Sequence, residues 1–244
     1  MTLLLVDVGN SRTVAATAAA TLEGTVIGPI TEVFAAATPA DGDGAAALAA
    51  ELLSLAPDDA TVGVTSVVPA VTAALRAAHP DMRAVDHTWR FPFTVSVTGP
   101  ETVGADRWCN VAAAVGENLA DAIVVDAGTA TTIDVLDDGA FVGGLIAPGM
   151  AFAARKLQES GARLWTVPFA PCPLAPGHDT ATALQAGAYH VGRQGVLGVV
   201  RDLAARYPRA QVVVTGGLGG HLEQTGWRHD PWWTLRGLAR LLAG

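Results

Sequence analysis

The feature that most constrains this chain is a short stretch that occurs twice. Leu3–Thr13 reads LLLVDVGNSRT and Ala122–Thr132 reads AIVVDAGTATT. Aligned on the aspartate, both fit D-x-G-[N/T]-x-x-T: Asp7, Gly9, Asn10 and Thr13, then Asp126, Gly128, Thr129 and Thr132. In each, an apolar run that reads as a buried strand ends on a carboxylate beside a glycine. The second copy begins about half the chain after the first, which points to an internal duplication.

The segments downstream of the two copies are also alike. Leu3–Val8 and Thr13–Ala20 read as strands, a turn falls at Glu23-Gly24, and Val26–Phe34 contains a third strand broken by Pro29. In the second half, Ala122–Asp126, Thr131–Leu136 and Ala140–Leu145 read as strands, with Asp137-Asp138-Gly139 as a hairpin turn. Helices are expected at Ala45–Ser54, Ala70–Ala78, Ala151–Ser160, Thr180–Ala205 and Thr234–Leu242. Strands are expected at Thr61–Val67, Met82–Val85 and Ala210–Val214, and Asp41–Gly44 (DGDG) as a surface loop. Strands in threes followed by alternating helices and strands predict α/β architecture, with two domains and mixed sheets. The division is expected at 1–102 and 103–244. With 244 residues, half of them hydrophobic, the chain can bury a core in each.

Composition narrows the function. A formal charge of -8 makes nucleic acid a poor default partner. The two cysteines, Cys109 and Cys172, lack C-x-x-C spacing and fit a reducing compartment. No uncharged apolar run reaches ~18 residues, and no signal-peptide pattern opens the chain, so a cytoplasmic protein without a membrane span is expected.

The chemistry is carried by loops. A glycine after a strand lets backbone N–H groups approach a phosphate, and a carboxylate in the same turn can hold Mg²⁺ directly or through water. One D-x-G turn is an ordinary hairpin, whereas two matching turns after buried strands favour phosphate binding. Facing each other, they would grip one polyphosphate from both sides. Gly99–Val115 (GPETVGADRWCNVAAAV) places Asp106 and Arg107 at the start of a helix with an apolar face. Asp106 is then either a helix-dipole residue or a general base beside an anion-binding arginine. Gly143–Met150 (GGLIAPGM) and Val212–Leu222 (VVVTGGLGGHL) are strands opening onto glycines. Either serves packing, or Gly216-Gly217 serves a flat base or ribose. Trp227, Trp232 and Trp233 read as packing or an interface. Neither G-x-S-x-G nor a P-loop signature is present, which disfavours those enzyme classes.

Taken in order, DVGNSRT, GADR, DAGTATTID, GGLIAPG, TATALQAG and TGG resemble the type III pantothenate kinase family. The resemblance runs over nearly the whole chain to DPWWTLRGL. It implies two duplicated ribonuclease-H-like domains of the actin-like ATPase superfamily and a homodimer. It also implies transfer of phosphate from ATP to pantothenate, the first committed step towards coenzyme A, with Mg²⁺ and K⁺ or NH₄⁺. By motif, Asp7, Val8, Gly9, Asn10, Ser11, Arg12, Thr13 and Val14 correspond to the first phosphate loop, with Asp7 aiding Mg²⁺. Thr129 corresponds to an ATP contact and Asp126 to the monovalent-cation ligand. Gly104, Ala105, Asp106 and Arg107 correspond to the pantothenate site, with Asp106 the proton acceptor, and Thr180 to a further pantothenate contact. Two positions depart from the family pattern: Val97 stands where many members carry tyrosine, and Asp179 gives GHDT for the commoner GxNT. Other readings are a kinase for another small hydroxyl substrate, such as a sugar, or a non-enzymatic regulatory relative, for which eroded phosphate loops would be expected.

Overall fold

The computed structural model describes residues 1–21, 28–160 and 167–244. Two compact units are interleaved along the chain. The first comprises Met1–Ala120, Leu136–Gly143 and Trp232–Gly244; the second comprises Asp121–Val135 and Gly144–Pro231.

The first unit is built on β1 (Thr2–Val8), β2 (Arg12–Ala19), β3 (Thr31–Ala37), β4 (Thr61–Ser66) and β5 (Arg83–Ala84), in the sheet order β3-β2-β1-β4-β5. Leu3, Leu4, Leu5 and Val6 are wholly buried, so β1 is covered on both faces. That is why it reads as a continuous apolar run rather than an alternating one. β2 pairs antiparallel with β1, and β4 pairs parallel with it, setting Asp7 beside Thr65 and Val8 beside Ser66.

One face of this sheet, carrying Leu4, Val6 and Val8, packs on α1 (Gly42–Ser54) and α2 (Pro69–Ala78). α1 buries Ala45, Leu48, Ala49 and Leu52, a helical i, i+3, i+4, i+7 stripe. The DGDG segment is not a free loop: Asp41 is the N-cap, accepting from the Gly44 N–H at 2.7 Å, and the rest is the first turn. The other face meets α3 (Ala105–Gly116) and α6 (Trp233–Ala243). These two helices approach so closely that any side chain at Gly237 would collide with the Cys109 carbonyl. Trp233 Nε1 donates to the Asn110 carbonyl at 3.0 Å, and Thr234 Oγ1 donates to Asn110 Oδ1 at 2.9 Å. The apolar face of α3 is therefore closed by α6 of the same chain. Trp233 is a packing residue, while Trp227 packs in the core of the second unit.

The second sheet contains β6 (Thr94–Val95), β7 (Ala122–Ala127), β8 (Ala130–Asp137), β9 (Ala140–Pro148), β10 (Gln211–Thr215) and β11 (Arg228–His229), in the order β11-β10-β7-β8-β9-β6. Reading from β9 to β11 repeats the order of the first sheet, third-second-first-fourth-fifth, with β6 as an addition. The duplication seen in the sequence is thus a duplication of topology. Asp138 and Gly139, with φ of 48° and 73°, make the turn between β8 and β9, as the D-G pair requires. In the second unit, α4 (Met150–Ser160) and α5 (Thr180–Arg206) supply the helical layer. Asp179 caps α5 in a reciprocal box with Thr182.

One expectation for the first half shifts. The third strand begins after Pro29, which cannot donate to a ladder, and extends to Ala37. The turn at Glu23-Gly24 and the start of that strand at Val26 lie outside the described residues. Among the described residues, no helix is long and apolar enough to cross a membrane.

Candidate active site

In the first unit, the chain turns at Gly9–Ser11 between β1 and β2. The Gly9 N–H closes the turn on the Arg12 carbonyl at 3.0 Å. Asn10, Ser11 and Arg12 are exposed, Asp7, Gly9 and Val14 are half-buried, and Val8 is buried. Thr13 is wholly buried. Its hydroxyl lies 2.9 Å from that of Thr38, which in turn donates to the Gly9 carbonyl at 2.6 Å. Thr38 is thus a support of the phosphate-loop candidate that sequence reasoning missed. Its partners lie far away in the chain, and nothing local marks it.

The start of α3 belongs to the same unit. Gly104 is its N-cap, and Ala105 and Asp106 begin its first turn. A side chain at Gly104 would lie 2.5 Å from Asp106 Oδ1, so the glycine leaves room for the carboxylate to fold back over it. That oxygen accepts the Arg107 N–H at 2.8 Å. Burial pushes the Asp106 carboxyl above the ordinary aspartate value; the Arg107 N–H and the Arg107 charge oppose the shift without reversing it. The Arg107 guanidinium sits 5.7 Å from the Phe141 ring centroid, over its face. Phe141 also packs edge-on against Trp108, which stacks on Phe91.

One turn along α3, Cys109 is wholly buried. Burial drives its thiol far up; a hydrogen bond with Thr65 opposes the shift, and the charges of Asp7 and Asp106 add to it. The thiol is accordingly neutral and unreactive. Asp7 at the end of β1 and Asp106 in the first turn of α3 are thus both within electrostatic reach of the Cys109 thiol. Thr65, beside Asp7 on β4, is wholly buried there too.

In the second unit, three glycine-bearing stretches meet at the Asp126 turn. Gly128 N–H bonds the Ala130 carbonyl at 3.0 Å. This closure is one residue tighter than at Gly9, although the two sequences align residue for residue. The Pro148-Gly149 turn comes next: Gly149 N–H donates to the Thr129 carbonyl at 2.9 Å, and any side chain there would strike the Gly128 and Thr129 carbonyls. The T-G-G turn is third. Gly216, at φ +83°, lies against Asp126 Oδ1 and the Ala127 backbone, and Leu218 N–H bonds the Ala127 carbonyl at 3.0 Å. A methyl group at Gly217, by contrast, would meet nothing within 4 Å. The glycines that read as unspecific in the sequence are therefore parts of one cradle, with Asp126 at its wall. Thr129 is half-buried beside it, and Thr180 is exposed at the first position of α5.

These donor sets suit phosphates and hard cations. No cluster of three His, Cys, Asp or Glu occurs among the described residues. A divalent cation at Asp7 would therefore complete its shell with water and phosphate oxygens, as Mg²⁺ does in phosphoryl-transfer sites. The Asp126 cradle offers a carboxylate, an oxygen ligand of the kind an alkali cation takes.

Duplicated sheets carrying these turns define an actin-like ATPase fold of the kind found in sugar kinases. A ROK family glucokinase from Streptomyces griseus, solved with glucose and AMPPNP, superposes with a TM-score of 0.57 at 11% identity, covering 99% of this chain and 98% of that one. Within that class, the model of the type III pantothenate kinase family matches residues 3–205. The chain belongs to this family. It is 40% identical over 164 residues to a type III pantothenate kinase of Thermomicrobium roseum (64% of this chain) and 35% identical over 206 residues to one of Acidiphilium cryptum (76% of this chain). The chain spans 63% of the first relative's length and 73% of the second's. It spans about half of the relatives from Hyphomonas neptunium and Ruegeria pomeroyi.

Proposed function

We propose that this protein transfers the γ-phosphate of ATP to the primary hydroxyl of pantothenate, giving 4'-phosphopantothenate in the cytoplasm. The observation that carries this reading is Asp106. It is a carboxylate at the open end of α3, beside Arg107, with its proton affinity raised by burial. A base of raised pKa is better matched to accepting a proton near neutrality. Family membership supplies the substrate.

Phosphoryl transfer passes through a loose transition state that chiefly needs positioning and charge neutralisation. The exposed turn Asn10–Arg12 and the cradle at Asp126 offer backbone N–H groups to phosphate oxygens. Mg²⁺ held at Asp7 would neutralise charge on those phosphates. Arg107 and Thr180 contact pantothenate, and Asp106 takes the hydroxyl proton as that oxygen attacks. Asp126 holds K⁺ or NH₄⁺, which offsets its repulsion of the nucleotide.

The reading includes a homodimer. In the second unit, Ile146, Leu157, Leu174 and Val191 are large apolar residues left more than half exposed, surface that a second copy would cover. The direct test of function is to supply Mg·ATP with pantothenate or with a panel of sugars and identify the phosphorylated product by mass. Phosphorylation of a sugar in place of pantothenate would overturn the substrate assignment.

A further inference from the structure

The T-G-G-L-G-G turn is held from two sides. At its near end, Gly216 is fixed against the Asp126 turn. The far end, Gly219-Gly220, is held by a side chain that no phosphate-loop reasoning singles out. A methyl group at Gly219 would lie 3.1 Å from His229 Nε2 and 3.3 Å from its Cδ2, and one at Gly220 would lie 3.7 Å from its Cε1. The imidazole, together with Val214 Cγ1, thus leaves no free room for a Gly219 side chain. Its other nitrogen, Nδ1, donates to Glu223 Oε1 at 2.8 Å. Glu223 directly succeeds the 3-10 turn Gly219–Leu222. His229 lies on β11, in register with Val214 of β10, the strand that runs into the turn.

The contact closes a small ring. The chain leaves β10, makes the glycine turn, and ends it at Glu223. The Glu223 carboxylate then grips a histidine whose ring braces the turn from behind. Glycine-rich backbone has no side chains of its own to hold its shape, and it loses more conformational freedom on ordering than any other sequence. Besides the turn's own Gly219 N–H to Gly216 carbonyl bond at 2.9 Å, packing from outside narrows the geometries in which its backbone can meet a ligand.

We propose that His229, oriented by Glu223, is a positioning residue for nucleotide binding: it holds Gly219-Gly220 so that the glycine turn presents a fixed surface to the nucleoside of ATP. This rests on the reading of the protein as an ATP-dependent kinase. The mode of action is indirect, since the ring packs on the glycine backbone and its Nδ1 bonds Glu223. Its signature is therefore a selective loss of nucleotide affinity. Pantothenate handling, assigned to Asp106, Arg107 and Thr180, stays as it is.

The test uses His229→Ala and Glu223→Gln on the full chain, with His229→Gln as the conservative variant. Steady-state rates are measured against ATP and against pantothenate separately, and a non-hydrolysable ATP analogue is titrated calorimetrically. His229→Ala is expected to raise the KM for ATP and the Kd of the analogue by ~10-fold, the scale of one lost hydrogen bond to a charged group. The KM for pantothenate should stay within about twofold. Glu223→Gln should give a smaller change of the same kind, and His229→Gln a partial rescue. If the ATP KM and analogue Kd are unchanged in His229→Ala, or if both KM values rise together, the histidine is a packing residue and the proposal fails. If the wild-type chain binds no ATP analogue, it is the kinase reading itself that fails.

Discussion

Gly216, in a left-handed backbone conformation at φ +83°, sits directly against the carboxylate of Asp126. A β-carbon at this position would collide with Asp126 Oδ1 and lie 2.7 Å from the Ala127 nitrogen. Gly216→Ala is therefore expected to displace the Asp126 turn and to lose more than ~1 kcal/mol of stability, since alanine is also strained at positive φ. Turnover should fall at least ~10-fold, because displacing a cradle by even ~1 Å is costly. Gly217→Ala, with open space around it, should leave stability within about 0.5 kcal/mol. Thermal melts and rates of the two variants side by side check this; equal behaviour would remove the special role of Gly216.

Asp106 carries a prediction about pH. Its pKa is raised in the folded protein, chiefly by burial, above an unfolded value near 3.8. Between the two values the folded state holds the extra proton, so stability falls as pH rises through that window, and the full penalty persists above it. Asp106→Asn removes the buried charge. The variant should melt higher than the wild type at pH 7, and the gap should close at about pH 4 and below. Turnover should drop by ~10²–10⁴-fold, the usual contribution of a general base. A variant that is less stable at pH 7, or that keeps near-normal turnover, would make Asp106 a helix-end residue only.

Much of the fold was legible in the sequence, for a definable reason. β1, α3 and α5 announce themselves through local properties such as apolar runs and the loop glycine Gly104 before α3, whereas the capping role of Asp179 emerged only with the structure. The D-x-G alignment likewise pointed to the duplicated strand-turn-strand units, although their turns close one residue apart. What the sequence hid depends on contacts between distant residues. The grip of Thr38 on Gly9, the place of Thr65 beside Asp7, and the packing of Gly149 and Gly216 on the Asp126 turn arise from pairing register and chain return. The DGDG segment reads as a loop because a helix start and a surface loop share the same residue types until the Asp41–Gly44 hydrogen bond is seen. The α3 surface could equally have met a partner; only the close approach of Gly237 shows that α6 takes it.

Asp126, at the end of β7, is the residue to which the proposed function assigns the monovalent cation. Activity is therefore expected to depend on a monovalent cation. Rates in Na⁺-only buffer should be a small fraction of those with added K⁺ or NH₄⁺ at the same ionic strength. Equal rates in all three salts would take the cation role away from Asp126.

Dimerisation should use the exposed apolar residues of the second unit, since α3 is occupied. Light scattering at micromolar concentration is expected to give twice the chain mass, and Ile146→Glu combined with Val191→Glu should shift it towards the monomer. A monomer mass for the wild type would contradict the assembly.

A kinase built in this way should turn over ATP only when pantothenate is present to receive the phosphate. The decisive experiment is coupled detection of ADP release with Mg²⁺ and K⁺ or NH₄⁺. Negligible release is expected with ATP alone, and a saturable increase on adding pantothenate, matched mole for mole by 4'-phosphopantothenate. ADP release that is indifferent to pantothenate, or none with it, would contradict the assignment of this chain as a pantothenate kinase.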